Sequence, residues 1–446
     1  MQTRRVPGGR ARLMSHAMSV PKQEETGAPA PASSGRCPHL GAQYNPFAGP
    51  HVENPHPFFD QLRKEEPVSF SPMLNMWMIS RYDDIAQVLR DPSRFSNRDM
   101  LVSGTHAHLT EEARAILARG YPTAHVLLGM DPPEHTRLRR LMNQCFTPQR
   151  VASLAPLVQQ MATELVERFD TTGEADLVTQ LAHPLPVHVI LGAVGVPQED
   201  FWKIKGWSTD WQRILFEYVP PEKQVDMAKG FLEFQQYCIR LIEDRRRNPR
   251  DDLASHMLSV EDNGEALTLH ELIMAIGGSM LAAGHESTTA LLANAWKLAL
   301  QHGLWQRLRD NRDLVPRFLE ESSRFDSVSH AMIRTATEDV VVGGVKIPGG
   351  SRLLLLYAAG SRDESLCPHS NKLDLDREKV PQHLTYGRGT HFCLGAPLAR
   401  LQFHVATNLL LDRLPDPKLV AGQDFGTTQN LVLRQMKHLK VEWTPR

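Results

Sequence analysis

No run of 18 or more apolar residues occurs anywhere in this chain of 446 residues, so no membrane-spanning helix is expected. Excess charge is absent as well. Fifty basic side chains against 51 acidic ones leave a net charge of −1, which removes the global electrostatic case for binding nucleic acid or a membrane surface. Cysteine is scarce and scattered. Cys37, Cys145, Cys238, Cys367 and Cys393 form no CxxC pair, a pattern that argues against zinc ribbons, a disulfide framework or a fused iron–sulfur module. It fits a reducing compartment, and the cytoplasm is the expected location. The chain also lacks internal repeats. Its basic start (Arg4, Arg5, Arg10, Arg12) is not followed by an apolar stretch, so a twin-arginine or transit signal is set aside for a disordered tail or a start at Met14 or Met18. Residues 26–36 are rich in Pro, Ala, Ser and Gly and read as linker. Residues 1–40 are therefore expected to be tail and linker, with a single domain over 41–446 that begins near Asn45-Pro46-Phe47.

What is present is concentrated in YGRGTHFCLG (386–395), where Gly387, Gly389 and Gly395 surround Cys393 and His391 lies two positions before it. Glycines at this density exclude a regular helix or strand and fold the backbone tightly around the sulfur. Residues 396–414 follow with apolar positions at helical spacing. A cysteine at the start of a helix has nearby backbone N–H groups that favour its thiolate. Such a thiolate suits a metal, haem iron among them. The alternative, a buried structural cysteine, explains neither the glycine spacing nor His391.

Elsewhere the pattern is mostly helical with a little strand. Val68–Ser80 reads as a hairpin about Leu74-Asn75, and 339–357 as a second small strand pair. Thr110 caps a helix opened by Glu111-Glu112, and Asp131-Pro132-Pro133-Glu134 opens another. Residues 268–301 form one long helix pattern that is apolar nearly all round, as in a central buried helix. Its middle, Gly284 to Thr289, places poor helix formers and the carboxylate of Glu286 inside that element. A benign kink, with hydroxyls bonding back to the preceding turn, is one explanation. A functional site is the other.

The Cys393 loop resembles the haem-binding signature of the cytochrome P450 superfamily, Phe-Gly-x-Gly-x-His/Arg-x-Cys-x-Gly. Gly387, Gly389, His391, Cys393 and Gly395 match it, while Tyr386 replaces the usual Phe and adds a hydroxyl near the sulfur. The following APLAR (396–400) is similar to the bacterial branch, and residues 123–140 to haem domains of self-sufficient bacterial members. The resemblance spans about 41–446 and implies the P450 fold, mainly α with minor β, around haem b with Cys393 as its axial thiolate. It implies that Ala283, Gly284, Glu286 and Ser287 face the opposite side of the iron. There Gly284 leaves room for dioxygen, Glu286 links solvent water to the site, and Ser287 supplies the hydroxyl that delivers protons. Serine stands here in place of the usual threonine, and Thr288 is a second candidate hydroxyl. His135, Arg139, Arg334 and His391 match positions that hold the haem propionates, and Gly387 belongs to the cofactor loop. Glu321, Arg324 and Arg377 match a buried network bracing the cysteine side, with Leu373 where an aromatic is usual.

The resemblance also places pocket walls in 97–128, 207–222, 326–332 and around Leu431-Val432-Leu433. Trp207, Trp211, Phe216 and Tyr218 suit a mobile apolar lid or plain core packing, and His330 either meets a polar substrate group or faces water. Arg137, Arg140, Arg388 and Arg400 are candidates for docking an acidic electron donor, or ordinary exposed charge. The expected activity is insertion of one oxygen atom from O2 into a small apolar organic substrate. Electrons come from NAD(P)H through a separate ferredoxin and its reductase, or a flavodoxin, since no flavin, nicotinamide or ferredoxin module follows before Arg446. A monomer is expected. The alternatives are an H2O2-driven peroxygenase, which would usually lack the acid–alcohol pair, and a non-catalytic haem-binding or gas-sensing protein, which would need no proton relay.

Overall fold

A computed structural model describes residues 39–98, 100, 109–122, 126–216, 219–428 and 430–445. The expected tail and linker lie outside them except for their last two residues. Pro38–Arg446 is one compact unit, and helices dominate it.

Local sequence explains the helix starts. The Thr110 side chain accepts from the Ala113 N–H and begins the helix Glu111–Leu117. Thr268 and Glu271 cap each other reciprocally, which fixes the start of the central helical run at Leu269. That run is continuous to Gln301, but it is not one regular α-helix. Leu269–Ile273 is α, Met274–Ala282 is wound as a π-helix, and Ala283–Gln301 returns to α. The expected irregularity at 284–289 therefore occurs earlier. The adjacent glycines Gly277 and Gly278 lie in the widened turns, and any Cβ at Gly278 would intrude into the Trp211 ring. Ser287 and Thr288 are regular helix, with hydroxyls bonded back to the carbonyls of Ala283 (3.2 Å) and Gly284 (3.3 Å).

The second helix that matters for the site is Ala396–Arg413, begun by Pro397 in its first turn. It packs beside Ala283–Gln301, and the fully buried Trp296 ties the two together through Nε1–H to Thr407 Oγ1 at 3.0 Å. One extensive apolar core surrounds this pair.

The predicted hairpin is present: Val68–Ser71 pairs antiparallel with Met76–Ile79, Val68 opposite Ile79, around a turn with Asn75 at φ 51°. It is the edge of a five-stranded sheet that continues through Arg352–Leu355 and Met332–Ala336 to Phe95–Ser96. The 339–357 segment splits between two sheets. Val340–Val342 and Val345–Ile347 make their own hairpin, while Arg352–Leu355 joins the larger sheet. The strand Met332–Ala336 carries Arg334 to the edge of the site.

Candidate functional site

The loop before Ala396 is built as its glycines require. Gly387 and Gly389 both have φ of 68°, in the left-handed region, and a Cβ at Gly389 would strike the Leu89 carbonyl. The Cys393 N–H donates to the Tyr386 carbonyl at 2.8 Å, closing the loop on itself. Cys393 retains accessible surface, yet that surface faces a cavity of about 340 Å³ rather than bulk water. Burial pushes its thiol upward, and the backbone N–H groups of Gly395 and Ala396 and the Arg139 charge oppose that by favouring thiolate.

The facing wall is the central helical run. Ala283, Gly284, Glu286, Ser287 and Thr288 line the same cavity as Cys393, and so do His135, Arg139, Arg334, His391 and Gly387. All the candidate catalytic and cofactor residues thus meet in one chamber, although 258 residues separate the first from the last.

The chamber's polar edge fits haem. Both ring nitrogens of His135 and Nε2 of His391 are buried without a hydrogen-bond partner, and the two rings stand 4.1 Å apart between centroids. Burial, reinforced by the Arg139 charge, lowers His135 to about 4. Arg139 donates to Asn143, and Arg334 to the Ile333 carbonyl and the Tyr357 hydroxyl; neither has a carboxylate partner among the described residues. Buried donors left this way cost about 1–3 kcal/mol each. Two carboxylates arriving with a cofactor would satisfy them, and a haem carries two propionates. A soft sulfur on one wall and donors at the rim are the donor set that haem–thiolate ligation needs.

The bracing network also assembles. Arg324 and Glu321 are both fully buried and joined by two bonds of 2.8 Å, and Arg377 Nε lies 3.5 Å from Glu321. Arg324 further donates to the carbonyls of Ser361, Ser370 and Lys372. Leu373 packs partly buried against the main core. Tyr386 is buried beneath the Arg400 guanidinium, 4.4 Å from its ring centroid, with its hydroxyl unpartnered.

Several expectations change. Glu286 does not stand open to water: Lys205 Nζ lies 2.6 Å from its Oε1 and Gln435 Nε2 3.1 Å from its Oε2, with His285 Nε2 at 3.7 Å. Burial pushes its pKa up, but His285 and Lys205 outweigh that and hold it well below the usual carboxylate range. Neither Lys205 nor Gln435 is near Glu286 in sequence, and no local motif announces them. His330 neither faces water nor lines the chamber; it is buried and packs edge-on to Phe59. Trp207 packs near Phe234 and Tyr237 in the core, whereas Trp211 lines the chamber. The Phe216 side chain and Tyr218 lie outside the described residues. Val432 and Leu433 form part of the wall as expected. The candidate docking arginines are mostly engaged: Arg137 with Glu265 and Glu271, Arg140 with Asp262, Arg400 with Glu320, and Arg388 with the Tyr82 hydroxyl.

Comparison with known proteins gives a consistent result. The family model described as Cytochrome P450 matches residues 298–441. Nocardicin C N-oxygenase of Nocardia uniformis subsp. tsuyamanensis is 36% identical over 406 residues, covering 89% of this chain and 98% of that protein. Vitamin D(3) 25-hydroxylase of Pseudonocardia autotrophica is 35% identical over 410 residues, covering 91% and 97%. The crystal structure of the Tepidiphilus thermophilus P450 heme domain superposes with a TM-score of 0.83 at 31% identity, covering 91% of this chain and 98% of that one. No helix among the described residues is long and apolar enough to cross a membrane.

Proposed function

Since the chain belongs to the cytochrome P450 family, monooxygenases that bind haem b through a cysteine thiolate, we propose that Cys393 is that ligand and that the enzyme hydroxylates or similarly oxidises an apolar organic substrate. Bound haem supplies oxygen activation: with two electrons and two protons, one atom of O2 enters the substrate and the other leaves as water. The observation that carries the assignment is a single chamber with the Cys393 thiol on one wall, Glu286 and Ser287 on the other, and orphaned imidazoles at its rim.

The residues divide the work by position. Gly395 and Ala396 direct N–H groups at the sulfur and favour its anionic form. His135, Arg139, Arg334 and His391 take the propionates, and the Glu321–Arg324–Arg377 cluster fixes the polypeptide behind the cysteine loop. Glu286 is kept anionic by Lys205 and acts as a fixed charge beside the chamber, while the exposed Ser287 hydroxyl hands on protons from water by releasing the Ala283 carbonyl, with Thr288 one residue on. Electrons arrive from NAD(P)H through a separate ferredoxin or flavodoxin. The apolar wall of Val126, Leu127, Met280, Val432 and Leu433 suits a substrate that buries hydrocarbon.

Reduced holoenzyme under CO should show the thiolate-specific Soret band, and Cys393→Ala should lose it while keeping the parent far-UV circular dichroism. A variant that retains the band rules out Cys393. Turnover with NADH and a ferredoxin couple, compared with H2O2 alone, separates a monooxygenase from a peroxygenase.

A further inference from the structure

The unpartnered polar atoms around the chamber fall into three groups. His135 and His391 lie at the rim, and the Tyr386 hydroxyl and Gln402 Oε1 lie on the cysteine side. The third group has no part in holding the cofactor: Ser279 Oγ and Trp211 Nε1, both sealed from solvent and both on residues that line the chamber. Their residues are neighbours: the benzo edge of the Trp211 indole lies against Gly278, the residue before Ser279. Gln212, next to Trp211, donates to the Ala282 carbonyl and secures the helix Phe201–Phe216 to the π-wound turns there.

Ser287 and Thr288 satisfy their hydroxyls on the carbonyls four residues back, while Ser279 and Thr289 do not. Of these two, Ser279 lines the chamber and Thr289 does not. An indole N–H can only donate, and a serine hydroxyl can do so. Two buried donors without acceptors are costly unless the occupant brings an acceptor. Charge narrows the occupant further. The chamber's cations, Arg139 and Arg334, lie at the cofactor edge, Glu286 contributes a carboxylate to the lining, and Lys205 is consumed by Glu286. An anionic group at Ser279 would be buried without a counter-ion.

We propose that Ser279 and Trp211 form the anchoring end of the substrate site, and that the substrate is a neutral, largely apolar molecule with one acceptor oxygen remote from the oxidised carbon. Ser279 lies eight residues before Ser287, so anchor and chemistry are separated by roughly 10–12 Å along the helical run. The assignment rests on the haem–thiolate monooxygenase reading and refines its substrate class.

The test uses ferric holoenzyme and three probes of one shape: 4-phenylcyclohexanone, phenylcyclohexane and 4-phenylcyclohexane-1-carboxylate, titrated by the low-to-high-spin shift. The ketone should bind roughly tenfold more tightly than either of the others, the worth of about one well-made hydrogen bond. Ser279→Ala and Trp211→Phe should each erode that preference, and the double variant should abolish it, with hydrocarbon affinity held within about twofold. Equal response to ketone and hydrocarbon in the parent, including none, overturns the anchor. So does a preference that survives the double variant, or tightest binding by the carboxylate. Ser279→Ala removes one oxygen and keeps the test decisive if Trp211→Phe fails to fold. The CO band of the reduced parent is read separately. Its presence without ketone preference overturns only the anchor, whereas its absence overturns the haem–thiolate reading itself.

Discussion

Replacing Lys205 with methionine tests whether Glu286 is held as a buried anion. The two side chains are only 9% and 12% exposed and meet at 2.6 Å, so removing the cation leaves a desolvated carboxylate. Breaking a buried pair from one side costs about 3–5 kcal/mol. Gln435 at 3.1 Å and His285 at 3.7 Å remain, which places the expected loss at about 2–4 kcal/mol at pH 7. Lys205→Met/Glu286→Gln, with no charge to strand, should recover to within about 1 kcal/mol of the parent. The pH dependence follows from the sign of the Glu286 shift. A carboxylate held below its ordinary 4.5 contributes stability above that pH and loses it as pH falls. The gap between parent and Lys205→Met should therefore narrow below about pH 4.5. Urea unfolding of the holoenzyme at pH 7 and pH 4, followed by far-UV circular dichroism, measures both. A loss under about 1 kcal/mol at pH 7, or a gap that does not change with pH, refutes the buried-anion account.

Three further outcomes are expected. Arg324→Ala strands the fully buried Glu321 and frees three carbonyls, so a loss of about 3–5 kcal/mol and poor haem retention should follow. Arg324→Lys, lacking the planar fork, should not rescue it, and holoenzyme yield and unfolding midpoint decide. Ser287→Ala should release more hydrogen peroxide per NADH consumed; unchanged coupling removes Ser287 from proton delivery. Burial first, then the Arg362 charge, lowers His56 to about 4 from 6.5, so its contribution to stability is complete above pH 6.5 and is lost as pH falls toward 4. Up to about 3 kcal/mol is involved. His56→Asn should flatten the stability profile across that window, and an unaltered slope would exclude His56 as its source.

The Cys393 loop was legible because its chemistry and its backbone constraint are both local. Glycines at φ 68° and a cysteine before a helix start sit within ten residues. The Thr110 cap and the hairpin at 68–79 were legible for the same reason. The long helix over 268–301 was legible, but its π-wound turns at Met274–Ala282 were not. Poor helix formers mark local weakness, whereas the actual widening accompanies close approach of Trp211 to Gly278. The basic residues near the cysteine side looked available in sequence, and only packing supplies Glu265, Glu271, Asp262 and Glu320 as their partners.

The sequence by itself determined the setting of Cys393, the class of cofactor implied by its motif, the balance of helix over strand, and the adjacency of Glu286 and Ser287. Each is carried by residues close together in the chain, where spacing dictates geometry. Tertiary structure alone decided who holds Glu286, since Lys205 is 81 residues away and Gln435 is 149. It also decided that His330 is core and Trp211 is wall. Buried charges and unpartnered donors acquire their energies from what surrounds them, and those surroundings exist only after distant helices have packed.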